Sequence, residues 1–339
     1  MKTEPTSLSE RLAALVRAFE GRRVLVVGDL VADQFLFGEI SRVSREAPVL
    51  ILRHERTETV PGGAANCVMN LASLGARAAI VGVVGEDETG RTLVEKLEAA
   101  GVDCGGVIVS PSSKTTTKVR VLAGQAHSPR QQVIRVDYES EPLADDATGV
   151  EIIRLVEEKE SGAEAVIVSD YNYGVAGAAV VERLRETARG GARPVLVDSR
   201  FRLREFAGFT SATPNEDEVE HVTGRRLAND DSLVEGGEQL RHELNFRALL
   251  VTRGKQGSML FEENGDEPTR LSAVGSLDAV DVTGAGDTVI ATYALALASG
   301  ASFEDAAHLA NHAGGVVVMK RGTACVAPQE LLASLGENS

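Results

Sequence analysis

Between Asp281 and Thr288 the chain reads Asp-Val-Thr-Gly-Ala-Gly-Asp-Thr, directly before an apolar stretch of helical spacing (Val289, Ile290, Tyr293, Ala294, Leu297). Gly284, Ala285 and Gly286 carry little or no side chain, so their N–H groups can approach an anion closely. At a helix N-terminus such N–H groups lack intrahelical partners, and with the helix dipole they favour a phosphate. Asp287 falls in the first turn of that helix, beside the same anion. A carboxylate repels a phosphoryl group. Its useful task there is to accept a proton from an attacking hydroxyl while the N–H groups hold the developing charge. The segment alone leaves a plainer reading open, in which Asp287 complements the helix dipole and the glycines make a turn.

The elements that must position this segment are legible in outline. Short apolar runs at 24–27, 79–84, 165–168, 195–197 and 249–251 are apolar on both faces, as strands buried between helices must be. Helical patterns fall between them near 63–74, 88–100, 145–159, 175–189 and 230–243. This alternation predicts a doubly wound α/β fold with a mainly parallel sheet flanked by helices. Residues 34–60 and about 112–137 break the rhythm with alternating strands, which predicts a small separate β-sheet, a lid over a site or a dimer surface. At the start, Leu8, Leu12, Leu15, Val16 and Phe19 recur at helical spacing after Ser7 or Ser9 as cap. The expected organisation is an N-terminal helix in 1–21, one domain over 22–333 including the lid strands, and a tail over 334–339.

The 339 residues carry a formal charge of −15, which argues against nucleic acid as a partner. With 43% hydrophobic and 25% charged residues the composition is globular. Cys67, Cys104 and Cys325 follow no metal-ligand spacing and suit a reducing cytoplasm. Residues 1–23 lack the apolar core of a signal peptide, and no run of 18 apolar residues is present to span a membrane. His308 and His312, four apart, read as a satisfied helix pair rather than a chelate.

Four segments together resemble one family. Asp281–Thr288 looks like the C-terminal signature of the ribokinase/PfkB carbohydrate kinases, and Pro61-Gly62-Gly63-Ala64-Ala65-Asn66 resembles their N-terminal Gly-Gly-x-x-x-Asn signature. Thr213-Pro214-Asn215-Glu216-Asp217-Glu218 is similar to their Asn-x-x-Glu motif, and Val251–Gly257 to their nucleotide-side turn. The resemblance implies a ribokinase-like fold, ATP and Mg²⁺ as cofactors, and Asp287 as base with Gly284, Ala285 and Gly286 as anion hole. It further implies that Asp33, Gly62, Gly63 and Asn66 bind the sugar. Asn215, Thr252, Gly254, Gly257 and Asn311 would border the nucleotide, and Glu218 would order Mg²⁺ through water. Asp281 and Thr283, with the loop around Gly322, match where family members bind a monovalent cation such as K⁺. Val31 stands where many members have Asn.

The stretches 38–49, 116–122 and 132–137 resemble one branch, the bacterial D-glycero-D-manno-heptose-7-phosphate kinases. A phosphosugar needs cations remote from the attacked hydroxyl, and Arg42 and Arg120, with Arg45, Lys118 and Arg135, lie in the lid stretches. Two positions depart from the branch: Tyr173 replaces a lysine, and Asp198-Ser199-Arg200 replaces Asp-Pro-Lys. The expectation is a stand-alone kinase, without a His-x-Gly-His nucleotidyltransferase motif, that phosphorylates the anomeric hydroxyl of a heptose 7-phosphate. Alternatives are another sugar, sugar phosphate or nucleoside as acceptor, or a catalytically silent sensor. A homodimer through the lid sheet is also expected.

Overall fold

The five apolar runs become neighbouring or near-neighbouring strands of one sheet, each covered by helices on both faces. The computed structural model describes residues 7–124, 130–139, 146–276 and 278–336. In chain order the first elements are α1 (Leu8–Arg17), β1 (Arg23–Gly28), β2 (Leu30–Val43), β3 (Leu50–Gly63), α2 (Ala64–Ser73), β4 (Arg77–Gly85) and α3 (Glu88–Ala99). There follow β5 (Asp103–Ser110), β6 (Thr116–Gly124), β7 (Gln131–Tyr138), α4 (Asp146–Glu160), β8 (Ala165–Asp170), α5 (Ala178–Arg189), β9 (Val195–Ser199) and β10 (Ser211–Ala212). The chain continues through α6 (Glu216–Thr223), α7 (Asp230–Glu243), β11 (Ala248–Thr252), β12 (Ser258–Glu262), β13 (Thr269–Leu271), α8 (Ala285–Ala298), α9 (Phe303–Val317) and α10 (Pro328–Gly336).

The nine-stranded sheet runs β13-β12-β11-β10-β9-β8-β1-β4-β5. Its pairs are parallel from β11 to β5, and only β12 and β13 pair antiparallel at one edge. Successive side chains of β1 enter opposite cores. Val24 and Val26 pack with α1, α2, α3, α8, α9 and α10, while Leu25 and Val27 pack with α4, α5, α6 and α7. Helix α8 is buried along almost its whole length, from Asp287 to Ala296, because its sequence is apolar all round. Its position dictates that the first-turn Asp287 is buried as well.

The second sheet has four strands in the order β3-β2-β6-β7. Strands β2 and β3 form a long antiparallel ribbon from Leu30 opposite Gly63 to Val43 opposite Leu50, and β6 joins β2 in parallel. The ribbon begins immediately after β1, so Asp33 sits within the second sheet rather than at the end of the opening strand. Residues 125–129, 337–339 and 1–6, which belong to the expected lid stretch, tail and N-terminal helix, lie outside the described residues. Ser7, not Ser9, caps α1: its hydroxyl accepts from Glu10 N, and the Glu10 carboxylate returns to Ser7 N. Among the described residues no helix is long and apolar enough to cross a membrane.

Candidate active site

Helix α8 starts at Gly284, whose left-handed φ of 78° turns the chain into the helix, and no side chain caps it. Ala285, expected in the anion hole, instead donates its N–H back to Val282 O at 3.3 Å, which leaves the next N–H groups, at Gly286 and Asp287, for an anion. Asp287, 3% exposed, is held on both oxygens. Asn66 Nδ2, in the first turn of α2, donates to Oδ2 at 2.9 Å, and the Tyr171 hydroxyl donates to Oδ1 at 3.0 Å. Burial pushes the carboxyl up to about 6, against the downward pull of these two donors. A base of that strength is ionised at neutral pH yet still accepts a proton readily. Asn66 is itself anchored through Asn70, whose amide oxygen accepts from the Thr288 hydroxyl at 3.1 Å.

Asp33 lies on β2 and forms a buried ion pair with Arg120 of β6, their side chains 6% and 12% exposed. Gly62 backs directly on that carboxylate, for a Cβ there would stand 2.6 Å from Asp33 Oδ2. Gly63 is the N-cap residue of α2 and leads straight to Asn66. The sugar-side residues named from the sequence thus converge on one floor beside Asp287. Arg42 does not join them within the chain: it is exposed, nine residues further along β2 than Asp33, roughly 30 Å at about 3.3 Å per residue. Arg135 lies across from Arg120 and pairs with Asp137 at 2.9 Å.

An open cleft adjoins the start of α8. Thr252, Gly254, Gly257 and Asn311 line it together with Ala285 and Gly286, so four of the five nucleotide-side residues expected from the sequence share one wall with the start of α8, and Asn215 does not line it. The Asn311 amide is spent on structure, donating to Ser272 O at 2.7 Å and accepting from the Ser258 hydroxyl at 3.3 Å. Asn215 and Glu218 form the capping box of α6, each side chain accepting the other's N–H at 2.9 Å. Their three-residue spacing has a structural cause of its own. Burial pushes Glu218 up. Asp281 accepts from Thr283 N and Gly322 N, both at 2.9 Å, and so ties the loop before α8 to the loop after α9.

Several site residues have no assigned role in the sequence reading. Ser169 and Asp198 pair in register near the ends of β8 and β9, Thr213 follows β10 with its N–H on Val197 O at 3.2 Å, and Asp198 Oδ2 lies 3.7 Å from where a Gly286 Cβ would stand. Among the described residues the Ser169 and Thr213 hydroxyls are buried without partners, beside a carboxyl that burial, Glu218 and Asp287 push up. The signal was present in the sequence: each is a polar residue at the carboxyl end of an apolar strand, where open α/β sheets bind ligands. Tyr171 follows β8, and Lys118 and Arg200 lie over its ring at 5.1 and 5.3 Å from the centroid. His312, in contrast, bonds Ser334 Oγ at 2.6 Å, and burial lowers it to about 4, as a satisfied helix histidine.

A buried carboxylate beside bare N–H groups at one helix start, between a polar floor and an open cleft, fits a small-molecule kinase of ribokinase-like fold. The chain belongs to the pfkB family of carbohydrate kinases, whose family model matches residues 22–330. Among curated proteins it is 40% identical over 331 residues to the Bifunctional protein HldE of Magnetococcus marinus, covering 96% of this chain and 66% of that protein. To the protein of the same name from Chromohalobacter salexigens it is 43% identical over 317 residues, covering 93% and 64%. The chain therefore spans slightly less than two thirds of the length of these relatives. Among solved structures, Arabidopsis thaliana ribokinase complexed with ribose and ATP superposes with a TM-score of 0.71 at 22% identity, over 93% of this chain and 99% of that one. Escherichia coli phosphofructokinase-2 in complex with substrates and products gives a TM-score of 0.76 at 19% identity, with the same coverage of 93% and 99%. These likenesses carry the fold.

Proposed function

We propose that this protein transfers the γ-phosphoryl group of ATP to the anomeric hydroxyl of D-glycero-D-manno-heptose 7-phosphate, with Asp287 as general base. The observation that carries this reading is the placement of Asp287: buried, held on both oxygens, and set between the floor of Asp33 and Arg120 and the uncapped start of α8. The acceptor hydroxyl gives its proton to Asp287 as its oxygen bonds the γ-phosphorus. The bridging bond to ADP breaks, and the N–H groups at Gly286 and Asp287 hold the charge on the transferred group. The relatives named Bifunctional protein HldE support the heptose reading.

Asp33 would accept sugar hydroxyls while Gly62, Gly63 and Asn66 shape the floor. Arg120 uses Nη1 on Asp33, which leaves its other nitrogens for the acceptor's phosphate. Glu218 and Asp198, beside the buried hydroxyls of Ser169 and Thr213, would order a hydrated Mg²⁺ through its waters, since no three His, Cys, Asp or Glu side chains among the described residues group closely enough to hold an ion directly. That ion would neutralise phosphate charge during transfer. The loops joined by Asp281, with Thr283, are where a monovalent cation would stiffen the anion hole.

A coupled ADP-release screen over sugars and sugar phosphates tests the assignment. The heptose 7-phosphate is expected to give the highest kcat/KM. Arg120→Ala is expected to lower kcat/KM for phosphorylated acceptors about 10²-fold, the order of a lost charge-assisted contact, and to affect unphosphorylated ones less. Equal loss on both classes, or preference for a ketohexose or nucleoside, would reject a phosphosugar acceptor. Exposed Val133, Ile134, Val136 and Tyr138 on β7 also suit the second sheet to a second copy of the chain. Sedimentation should then show a dimer that Ile134→Lys dissociates, and a monomeric wild type would refute it.

A further inference from the structure

Tyr171 has no part in the chemistry above, yet it touches the base. The loop that carries it is shaped by Asp29, whose buried carboxylate accepts the N–H groups of Tyr171, Tyr173 and Val175 at 2.8, 3.0 and 3.2 Å. Its hydroxyl meets Asp287 Oδ1 at 3.0 Å, while Asn66 takes Oδ2. Its ring lies beneath two cations from different parts of the chain, Lys118 of β6 and Arg200 of the loop after β9. Among the described residues neither cation makes a direct ion pair, although Asp33 and Asp137 act on Lys118, and Asp198, Glu218 and Asp287 on Arg200, at longer range.

We propose that Tyr171 is a positioning residue for phosphoryl transfer: its hydroxyl aims the Asp287 carboxylate at the acceptor, and its ring places Lys118 and Arg200 beside the phosphoryl group. This rests on Asp287 being the base. An amide and a phenol fix both oxygens of the carboxylate without the direct ion pair that would drain its basicity. Burial raises the Tyr171 phenol well above its ordinary value, so it stays a donor and keeps its own proton throughout the reaction. The acceptor's proton ends on Asp287, the new bond joins acceptor oxygen to γ-phosphorus, and ADP takes the electrons of the broken bond. Two cations sharing one ring repel each other: burial, then Arg200, lowers Lys118, and Asp33 and Asp137 offset this only in part. A group with several anionic oxygens between them relieves that repulsion.

The groups facing Asp287 come from four other elements. Asn66 and Cys67 belong to α2, Asp33 to β2, Tyr171 to the loop after β8, and Asp198 and Arg200 to β9 and its following loop. Asp33 raises the Asp287 carboxyl and Arg200 lowers it, and the Cys67 thiol is kept neutral by burial and by Asp287. None of these changes when only the phenolic oxygen is removed.

The test is a set of pH–rate profiles for the wild type, Tyr171→Phe, Lys118→Met and Asp287→Asn. Tyr171→Phe keeps the ring and loses the donor, so the acid limb of kcat/KM should move up by about one pH unit. Its kcat should fall about tenfold with both KM values little changed. Lys118→Met should raise KM about tenfold without moving that limb. An unmoved limb and full kcat in Tyr171→Phe, with Asp287→Asn inactive, would overturn the proposal and leave the base intact. An unchanged KM in Lys118→Met would overturn the role of the ring. Full activity in Asp287→Asn would instead overturn the base itself.

Discussion

Asp287→Asn is expected to lower kcat by about 10²–10⁴-fold while ATP binding, measured by calorimetry, stays near the wild-type value. The side chain keeps its shape, and the cleft proposed for the nucleotide is lined by other residues, from Thr252 to Val318. What disappears is the proton acceptor. The wild-type rate should fall as pH drops through about 6, because the active form is the ionised carboxylate and burial has raised its pKa to that value. In the variant that acid limb should vanish along with the rate. A variant with wild-type turnover would remove Asp287 from the chemistry and return it to the plainer role of balancing the helix dipole.

Gly284→Ala is the second large effect. The residue has φ 78°, a left-handed conformation that costs an alanine about 1–2 kcal/mol. An added Cβ would collide with Asn66 Nδ2, the atom that orients Asp287 Oδ2. One methyl group therefore disturbs the turn that bares the N–H groups and the donor that fixes the base. A loss of about 10²–10³ in kcat is expected, the range seen when an oxyanion donor is removed. Urea unfolding should show only the modest loss of stability. Gly286→Ala provides the contrast: its Cβ would meet nothing nearer than Asp198 Oδ2 at 3.7 Å, so it should fold as the wild type does. If Gly284→Ala kept wild-type kcat, the start of α8 would not be the anion hole.

The fold was legible wherever burial imposes a pattern. Strands covered on both faces read as unbroken apolar runs, whereas β6 and β7 were read from alternating residue types that burial does not follow: β6 is half-buried through its middle and β7 is exposed along its whole length, so the expected single covered face is not found there. The edge strands β12 and β13 and the two-residue β10 carried no such pattern, being short and set by pairing with distant partners. At the site, Gly284 to Asp287, Gly62 to Asn66 and Thr252 to Gly257 stood out because glycine and polar residues interrupt apolar elements there. Asp198, Ser169 and Thr213 were harder, because their grouping arises from register between strands some thirty residues apart or less in sequence, not from local spacing. Tyr171 shows the same limit: its contacts to Asp287, Lys118 and Arg200 join four segments that nothing in the linear order brings together. Arg42 is the converse, since a shared charge with Arg120 suggested a shared place and the length of β2 separates them.

One residue, Asp29, stands where the chain leaves the main sheet for the second one. Its N–H donates to Ser169 O at 3.1 Å, its carbonyl accepts from Ala64 N at 3.1 Å, and its carboxylate gathers the loop of Tyr171. Departure and return of the β2–β3 ribbon, at Asp29–Leu30 and Gly63–Ala64, are thus pinned to the main sheet at one point. Such a joint is a shared anchor: the points where the ribbon leaves and returns and the loop that carries Tyr171 are set by one residue, so neither can shift there without the other.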